Sequence, residues 1–317
     1  MKRKFFMGIL LPITIVSLVV TTSGCKDSSS NNQPSTQASN VGNVVDQNAD
    51  LSVMDAALKS AGVYNTLNSS GQYTLFAPTD SAFKAMGITA SNVSTIPNLA
   101  NIIKYHVLGM NVPASQIAAG PDAMMTTLGG DSIFVTRGTT GTFINGVRVT
   151  QPDIAAANGV IHKINHVLMP ATGNLSTTLQ ADTTYSLLSA AITRASTGNS
   201  NISALLNGKS PYSIFAPTNA AFRSAGYANA AAINAADPNT LGKILNYHLL
   251  NGRMFTSDFT NGQKPTTLGG GTFSVGLNNN NFQVTGNGNG GTASNVTTSN
   301  GMATNGVMYG IDRVMTP

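Results

Sequence analysis

The chain has 317 residues, of which 41% are apolar and only 9% are Asp, Glu, Lys or Arg, with a formal net charge of +5. All 12 acidic residues are aspartate, tryptophan is absent, and there are four histidines and a single cysteine. This is thin material for acid–base catalysis, and it excludes a disulfide framework. Without Lys2, Arg3 and Lys4 the balance falls to 14 basic against 12 acidic residues, a net of +2, with no basic cluster of the kind nucleic-acid binding requires.

Those three basic residues precede an apolar run from Phe5 to Val20, which is followed by Thr21, Thr22, Ser23 and Gly24, then by Cys25. The run is shorter than the ~20 residues that span a bilayer. Residues 1–24 therefore read as a secretory signal peptide. The placement of Cys25 resembles a bacterial lipobox, with Thr22 where leucine is usual, and the resemblance implies that Cys25 becomes the acylated first residue of the mature chain. Two acyl chains hold a protein stably at a membrane surface, each buried CH₂ adding about 0.8 kcal/mol. Residues 25–40, rich in Ser, Asn and Gln without apolar periodicity, form the expected flexible tether.

Beyond the tether, Leu51, Met54, Leu58 and Ala61 share one helical face. Tyr73 to Phe76 is a short run of strand formers, Pro78 closes it, Thr79 is placed to cap the next helix and Asp80 to favour that helix's positive end. A catalytic Thr79 and Asp80 would need a base, and the block contains none. An apolar helical stretch ends at Tyr105 and His106. Ile133 to Val135, Phe143–Ile144 and Val147 to Val149 read as strands, with Asn145-Gly146 as a tight hairpin turn. In the closing stretch Val160, His162, Ile164, His166 and Leu168 alternate with Ile161, Lys163, Asn165 and Val167, so the two sets face opposite ways. Gly159 just ahead suits a turn of positive φ.

The second half then repeats the first. YTLFAPTDSAF from Tyr73 returns as YSIFAPTNAAF from Tyr212, IIKYHVLG from Ile102 as ILNYHLLN from Ile244, and TLGG from Thr127 as TLGG from Thr267; NGVIHKINHVLMP from Asn158 returns as NGVMYGIDRVMTP from Asn305. The displacement is 139 residues for Phe76 and Phe215 and 147 for Asn158 and Asn305. A period that long is a domain, since solenoid units of roughly 20 to 50 residues cannot bury a core alone. Leu187, Leu188, Ala191, Ile192 and Ala195 repeat the amphipathic helix. Asn278 to Asn281 and the Gly/Asn tract Gly286 to Gly291 are expected to form a mobile surface loop. The connection Ala171 to Asn174 is short enough to restrict motion between the domains.

These blocks resemble the fasciclin (FAS1) domain family, whose signatures look like FAPT[DN]xAF and NGVIHxIDxVLxP with a Tyr-His pair between them. The resemblance covers nearly all of the mature chain as two domains, residues 41–170 and 171–317. It implies an α+β fold: two tandem FAS1 domains, each a β-rich wedge or sandwich with helices packed on one side. The second copy departs from the pattern at Met308 and Tyr309, and the first has Asn165 where the second has Asp312. In some animal members the Tyr-His motif and an Asp-Ile motif are implicated in integrin recognition. Carried over residue by residue, this marks Tyr105, His106, Asp153, Ile154, Tyr247 and His248 as candidate partner-binding residues; at the Asp-Ile position the second copy has Asn300 and Gly301.

No metal or other cofactor is expected. His162 and His166, four residues apart on a strand, would lie roughly 13 Å apart, too far for one ion. The expected function is non-enzymatic: a lipid-anchored cell-envelope protein whose two domains adhere to a protein or polysaccharide surface ligand. The alternative is a carrier holding a small lipophilic molecule in an apolar cleft between helices and sheet.

Overall fold

The computed structural model describes residues 39–278 and 281–317. The expected signal peptide, Cys25 and all but the last two residues of the tether lie outside the described residues. The first repeat runs through helices α1 (Val41–Asp46), α2 (Ser52–Ser60) and α3 (Tyr64–Leu67), strand β1 (Tyr73–Pro78), helices α4 (Asp80–Ala85) and α5 (Leu99–Tyr105), and strands β2 (Val107–Leu108), β3 (Gly120–Thr126), β4 (Ser132–Gly138), β5 (Gly141–Ile144), β6 (Val147–Ala156) and β7 (Gly159–Ile164). The second follows the same plan: α6 (Leu175–Ala181), α7 (Ser186–Ala195), α8 (Ile202–Asn207), β8 (Tyr212–Pro217), α9 (Asn219–Ser224), α10 (Ala230–Ala235), α11 (Pro238–Tyr247), β9 (Leu249–Asn251), β10 (Phe273–Asn278), β11 (Asn281–Gly286), β12 (Ser294–Ala303) and β13 (Gly306–Ile311).

The strand order is β2-β1-β7-β6-β5-β4-β3 in one sheet and β10-β11-β12-β13-β8-β9 in the other. In each sheet the FAPT strand lies one in from an edge and runs parallel to the closing strand, with Phe76 opposite His162 and Phe215 opposite Tyr309. The alternation of the closing strand is real, but neither face meets water: all six residues of β7, and all six of β13, are buried. Leu75, Ala77 and Ile161 point into a core made with the helices. Phe76 and Ile164 point into a second core, where Ile133, Val135 and Ile144 of the outer strands fold back over the sheet. A sheet curled this way is a wedge with an apolar filling on both sides. The second repeat divides its residues alike, Ile214 and Met308 on the helix side, Phe215, Val307 and Tyr309 on the other.

Buried polar side chains fasten the layers. Asn158 Oδ1 accepts from Val41 N at 2.8 Å while its Nδ2 donates to Leu67 O and Ser69 O; Asn305 does the same with Leu175 N, Leu206 O and Gly208 O. Thr79 and Thr218 cap α4 and α9. Asp80 reaches a different helix from its own, its Oδ1 accepting from Val53 N in the first turn of α2 at 2.9 Å, and Asn219 accepts likewise from Leu187 N. The turn at Asn145-Gly146 has φ of 50° and 76°, the left-handed pair that joins β5 to β6 tightly.

The expected mobile loop in the second repeat is corrected in its Gly286 to Gly291 part, while Asn279 and Asn280 lie outside the described residues. The tract after β11 is laced to the C-terminal strand end: Gly288 N donates to Thr316 O at 3.0 Å, and Asn289 accepts from Thr316 N at 2.8 Å while donating to Val314 O at 2.9 Å. A Cβ on Gly286 would sit 2.6 Å from Thr316 O. Gly286 and Gly288 are there because two backbones approach closely, while Gly290 and Gly291, with φ of 59° and 80°, make the turn that follows.

Candidate functional site

Each Tyr-His pair closes the last turn of its helix, α5 or α11. Tyr105 donates from its hydroxyl to Ser132 O at 3.0 Å and accepts from Asn145 Nδ2 at 2.9 Å. Burial pushes its hydroxyl up to about 12. His106 Nδ1 donates to Ile102 O at 2.8 Å, and Nε2 accepts from Leu168 N at 2.9 Å. In the second repeat Tyr247 donates to Thr272 O and accepts from Asn287 N, while His248 Nδ1 donates to Ile244 O and Nε2 accepts from Met315 N at 2.9 Å. An accepting Nε2 fixes the neutral tautomer, and burial holds both rings down to about 4, outweighing the backbone bond that favours the charged form.

All four side chains are at most 1% exposed. The expectation that Tyr105, His106, Tyr247 and His248 touch a partner is therefore corrected: they are spent inside the protein, tying the strap after each closing strand to the helix before it. Asp153 differs. It sits at a bulge of β6 with φ of 58°, exposed, its Oδ1 accepting from Ala114 N at 2.8 Å and its N donating to His162 Nδ1 at 3.2 Å. Ile154 turns inward against the helix-side core. The six candidates thus share no hydrogen-bond partner and do not converge on one site.

His162 is 1% exposed, with its ring stacked on Phe76 at 5.6 Å and Nε2 donating to Val112 O at 2.9 Å. In the second repeat Tyr309 stacks on Phe215 at 4.9 Å and donates to Met254 O at 2.6 Å, and Asn300, with φ of 56°, accepts from Thr256 N. The departure from His to Tyr keeps one task, a ring on the phenylalanine with a polar tip bonded to the neighbouring loop. His166 lies beyond the end of β7 and is exposed, so the two histidines do not share a strand face. Among the described residues no group of three His, Cys, Asp or Glu gathers as a metal site.

What the sequence reading missed is the junction between the repeats. Arg253 lies 4.0 Å from the centroid of the Phe134 ring and donates to Thr304 O at 3.0 Å; Phe255 meets Phe134 at 6.1 Å; Thr136 Oγ1 donates to Asp258 Oδ1 at 3.1 Å. A Cβ on Gly146 would lie 2.6 Å from Asn300 Nδ2, so the first repeat's hairpin turn rests on the second repeat's bulge. The signal was available: Arg253, Phe255 and Asp258 stand where the first copy has Asn111, Pro113 and Gln116. Those departures mark the surface that the second repeat turns toward the first.

Two clefts, of about 720 and 330 Å³, open along this junction. Burial, and then the charge of Asp258, push Asp122 up to about 6, with Arg253 pulling the other way. A folded value above the ordinary aspartate value of 3.8 means the fold favours protonated Asp122, so its ionisation costs stability as pH rises through about 6. Asp122→Asn is expected to raise the melting temperature at pH 8 and to leave it unchanged at pH 3.5, as followed by circular dichroism.

A fasciclin domain model matches residues 49–170 and again residues 183–317. The chain belongs to the fasciclin domain family, as two tandem FAS1 domains. It is 40% identical over 122 residues to the pig transforming growth factor-beta-induced protein ig-h3, covering 38% of this chain and 18% of that protein. It is 30% identical over 226 residues to human periostin, covering 70% of this chain and 25% of periostin. Against Protein sll1483 of the bacterium Synechocystis it is 32% identical over 127 residues, covering 39% of this chain and 69% of that one. The chain thus spans about a fifth to a quarter of the two animal relatives.

Proposed function

We propose that this is a non-enzymatic adhesion protein, held at the cell envelope through lipid on Cys25 and presenting two FAS1 domains to a surface ligand. The observation that carries the reading is a large apolar side chain offered at the same rigid turn of both repeats. Leu128 and Leu268 are 38% and 37% exposed, although each is pinned by its backbone, Leu128 N to Val107 O and Leu268 N to Leu249 O, both at 2.8 Å. Thr127 and Thr267 close the turn beneath, their hydroxyls donating to Asp131 O and Gly271 O. A preorganised turn costs little to order on binding, and two of them on one unit let weak contacts act together. Of the six residues marked in the sequence, Asp153 is the one that adds an exposed carboxylate to this outer surface. The commitment of both nitrogens of His106 and of His248 to backbone groups argues further for a scaffold over a reaction centre.

The test uses the intact protein on its own membrane. Cells bearing it are expected to bind immobilised matrix or polysaccharide, the Leu128→Asp, Leu268→Asp double variant to lose most of that binding, and Cys25→Ser to shift the protein from the membrane to the soluble fraction. Equal adhesion by cells lacking the protein would sink the adhesive reading.

A further inference from the structure

The larger of the two clefts has a lining with a chemical bias that nothing in the fold requires. From the first repeat come Arg148, at the start of β6, and Asn165 and His166 just past β7, brought beside each other by the bond from Asn165 N to Arg148 O at 3.4 Å. The second repeat supplies Ser299 and Met302 of β12 from across the gap. Arg148, Asn165, His166 and Ser299 are all exposed, and among the described residues none has a side-chain hydrogen bond or an ion pair. No aspartate lines the cleft, in a chain where 12 aspartates face 14 basic residues of the mature part. The result is one unpaired guanidinium among free amide, imidazole and hydroxyl groups, with methionine side chains from Met169 and Met302 as the apolar part of the wall.

We propose that this cleft binds an acidic saccharide, a carboxylated sugar unit of a polysaccharide, across the junction of the two repeats; the proposal rests on the adhesive reading and names its ligand class. A carboxylate accepts two parallel bonds from a guanidinium fork. Sugar hydroxyls, which both donate and accept, match Asn165, His166 and Ser299, and the sugar's C–H face matches the methionines. One fixed cation suits one carboxylate, whereas a polyphosphate or nucleic-acid strand needs several. The volume of about 720 Å³ lies within the usual range of small-ligand sites. Because each repeat supplies only one wall, the site exists only in the tandem.

Isothermal titration calorimetry of the intact protein with digalacturonate, the neutral digalactose, sodium acetate and tri-aspartate decides the matter. Digalacturonate is expected to bind one to one, more weakly at high salt, with affinity reduced about tenfold or more by Arg148→Ala from one wall and by the cleft-filling Ser299→Trp from the other. Both positions are exposed, and unchanged circular dichroism and melting temperature would show that each variant stays folded. Absence of digalacturonate binding, an unaffected Arg148→Ala variant, or displacement by acetate or tri-aspartate at equal concentration would each overturn the proposal. Adhesion of cells with no digalacturonate binding would overturn this site while leaving the adhesive reading in place.

Discussion

Lowering the pH from 7.5 to 4.5 is expected to remove about 5 kcal/mol of the stability that His106 and His248 together contribute to the fold. Each ring is held down to about 4 in the fold by burial, against the ordinary histidine value of 6.5. Between those values the unfolded chain binds a proton that the native ring refuses. The stabilising contribution is therefore complete above about pH 6.5 and is lost as pH falls toward 4, at about 1.4 kcal/mol per pH unit for each ring, or roughly 2 to 3 kcal/mol apiece by pH 4.5. Protonation strikes the acceptor Nε2, so Leu168 N and Met315 N lose their partner and the strap after each closing strand is released. His162, also lowered by burial, adds in the same direction. Asp122 opposes, since its ionisation is what the fold resists. Urea unfolding of the intact protein at pH 7.5 and 4.5 measures the loss. The His106→Gln, His248→Gln double variant, which keeps a donor and an acceptor but not the titration, is expected to flatten most of the pH dependence; an unchanged slope in that variant would refute the assignment.

The second large effect lies at the parallel strand pair of each sheet. Gly159 has φ of 153°, and a Cβ there would overlap the carbonyl oxygen of Tyr73 and lie 2.8 Å from its carbonyl carbon. A Cβ on Gly306 would overlap Tyr212 O and sit 2.7 Å from Leu175 Cδ1. What stands in the way is backbone, which cannot step aside without breaking the register of β1 on β7 or of β8 on β13. Gly159→Ala and Gly306→Ala are each expected to cost more than about 4 kcal/mol, leaving the affected repeat unfolded. Gly138→Ala, with nothing within 4 Å of the added methyl, is the control and is expected to cost less than about 1 kcal/mol. Thermal melts with two transitions, one of them lost in each variant, would locate the damage in the intended repeat, and near-wild-type melting of Gly159→Ala would contradict it.

Where a residue's neighbours are its neighbours in the chain, the sequence was readable. The strand, stop and cap in Tyr73 to Asp80, the Asn145-Gly146 turn, the amphipathic helices and the α+β order all depend on a few adjacent residues, and all stand in the structure. Periodicity cannot say what covers each face of a strand, so the alternation in Val160 to Ile164 left open that both faces are sealed by the curl of the sheet. Polarity misled for a related reason. His106 and Tyr105 carry polar atoms that looked available, and the groups that consume them, Leu168 N and Ser132 O, lie 62 and 27 residues away. The glycine tract after β11 was misread because glycine serves close approach as well as freedom. The junction is written only in the differences between the copies at Arg253, Phe255 and Asp258, which no local pattern marks.

The way the repeats meet gives the molecule a direction. The first repeat contributes its Asn145-Gly146 hairpin and the second receives it at Asn300, so the join pairs unlike surfaces. The receiving surface of the first repeat, around Asp153 and Ala114, is not occupied by the second. Contacts between unlike faces propagate instead of closing a symmetric pair. The first repeat has Asn111, Pro113 and Gln116 at the positions of Arg253, Phe255 and Asp258, so a further repeat placed ahead of it would need those contacts rebuilt before the same join could be made again.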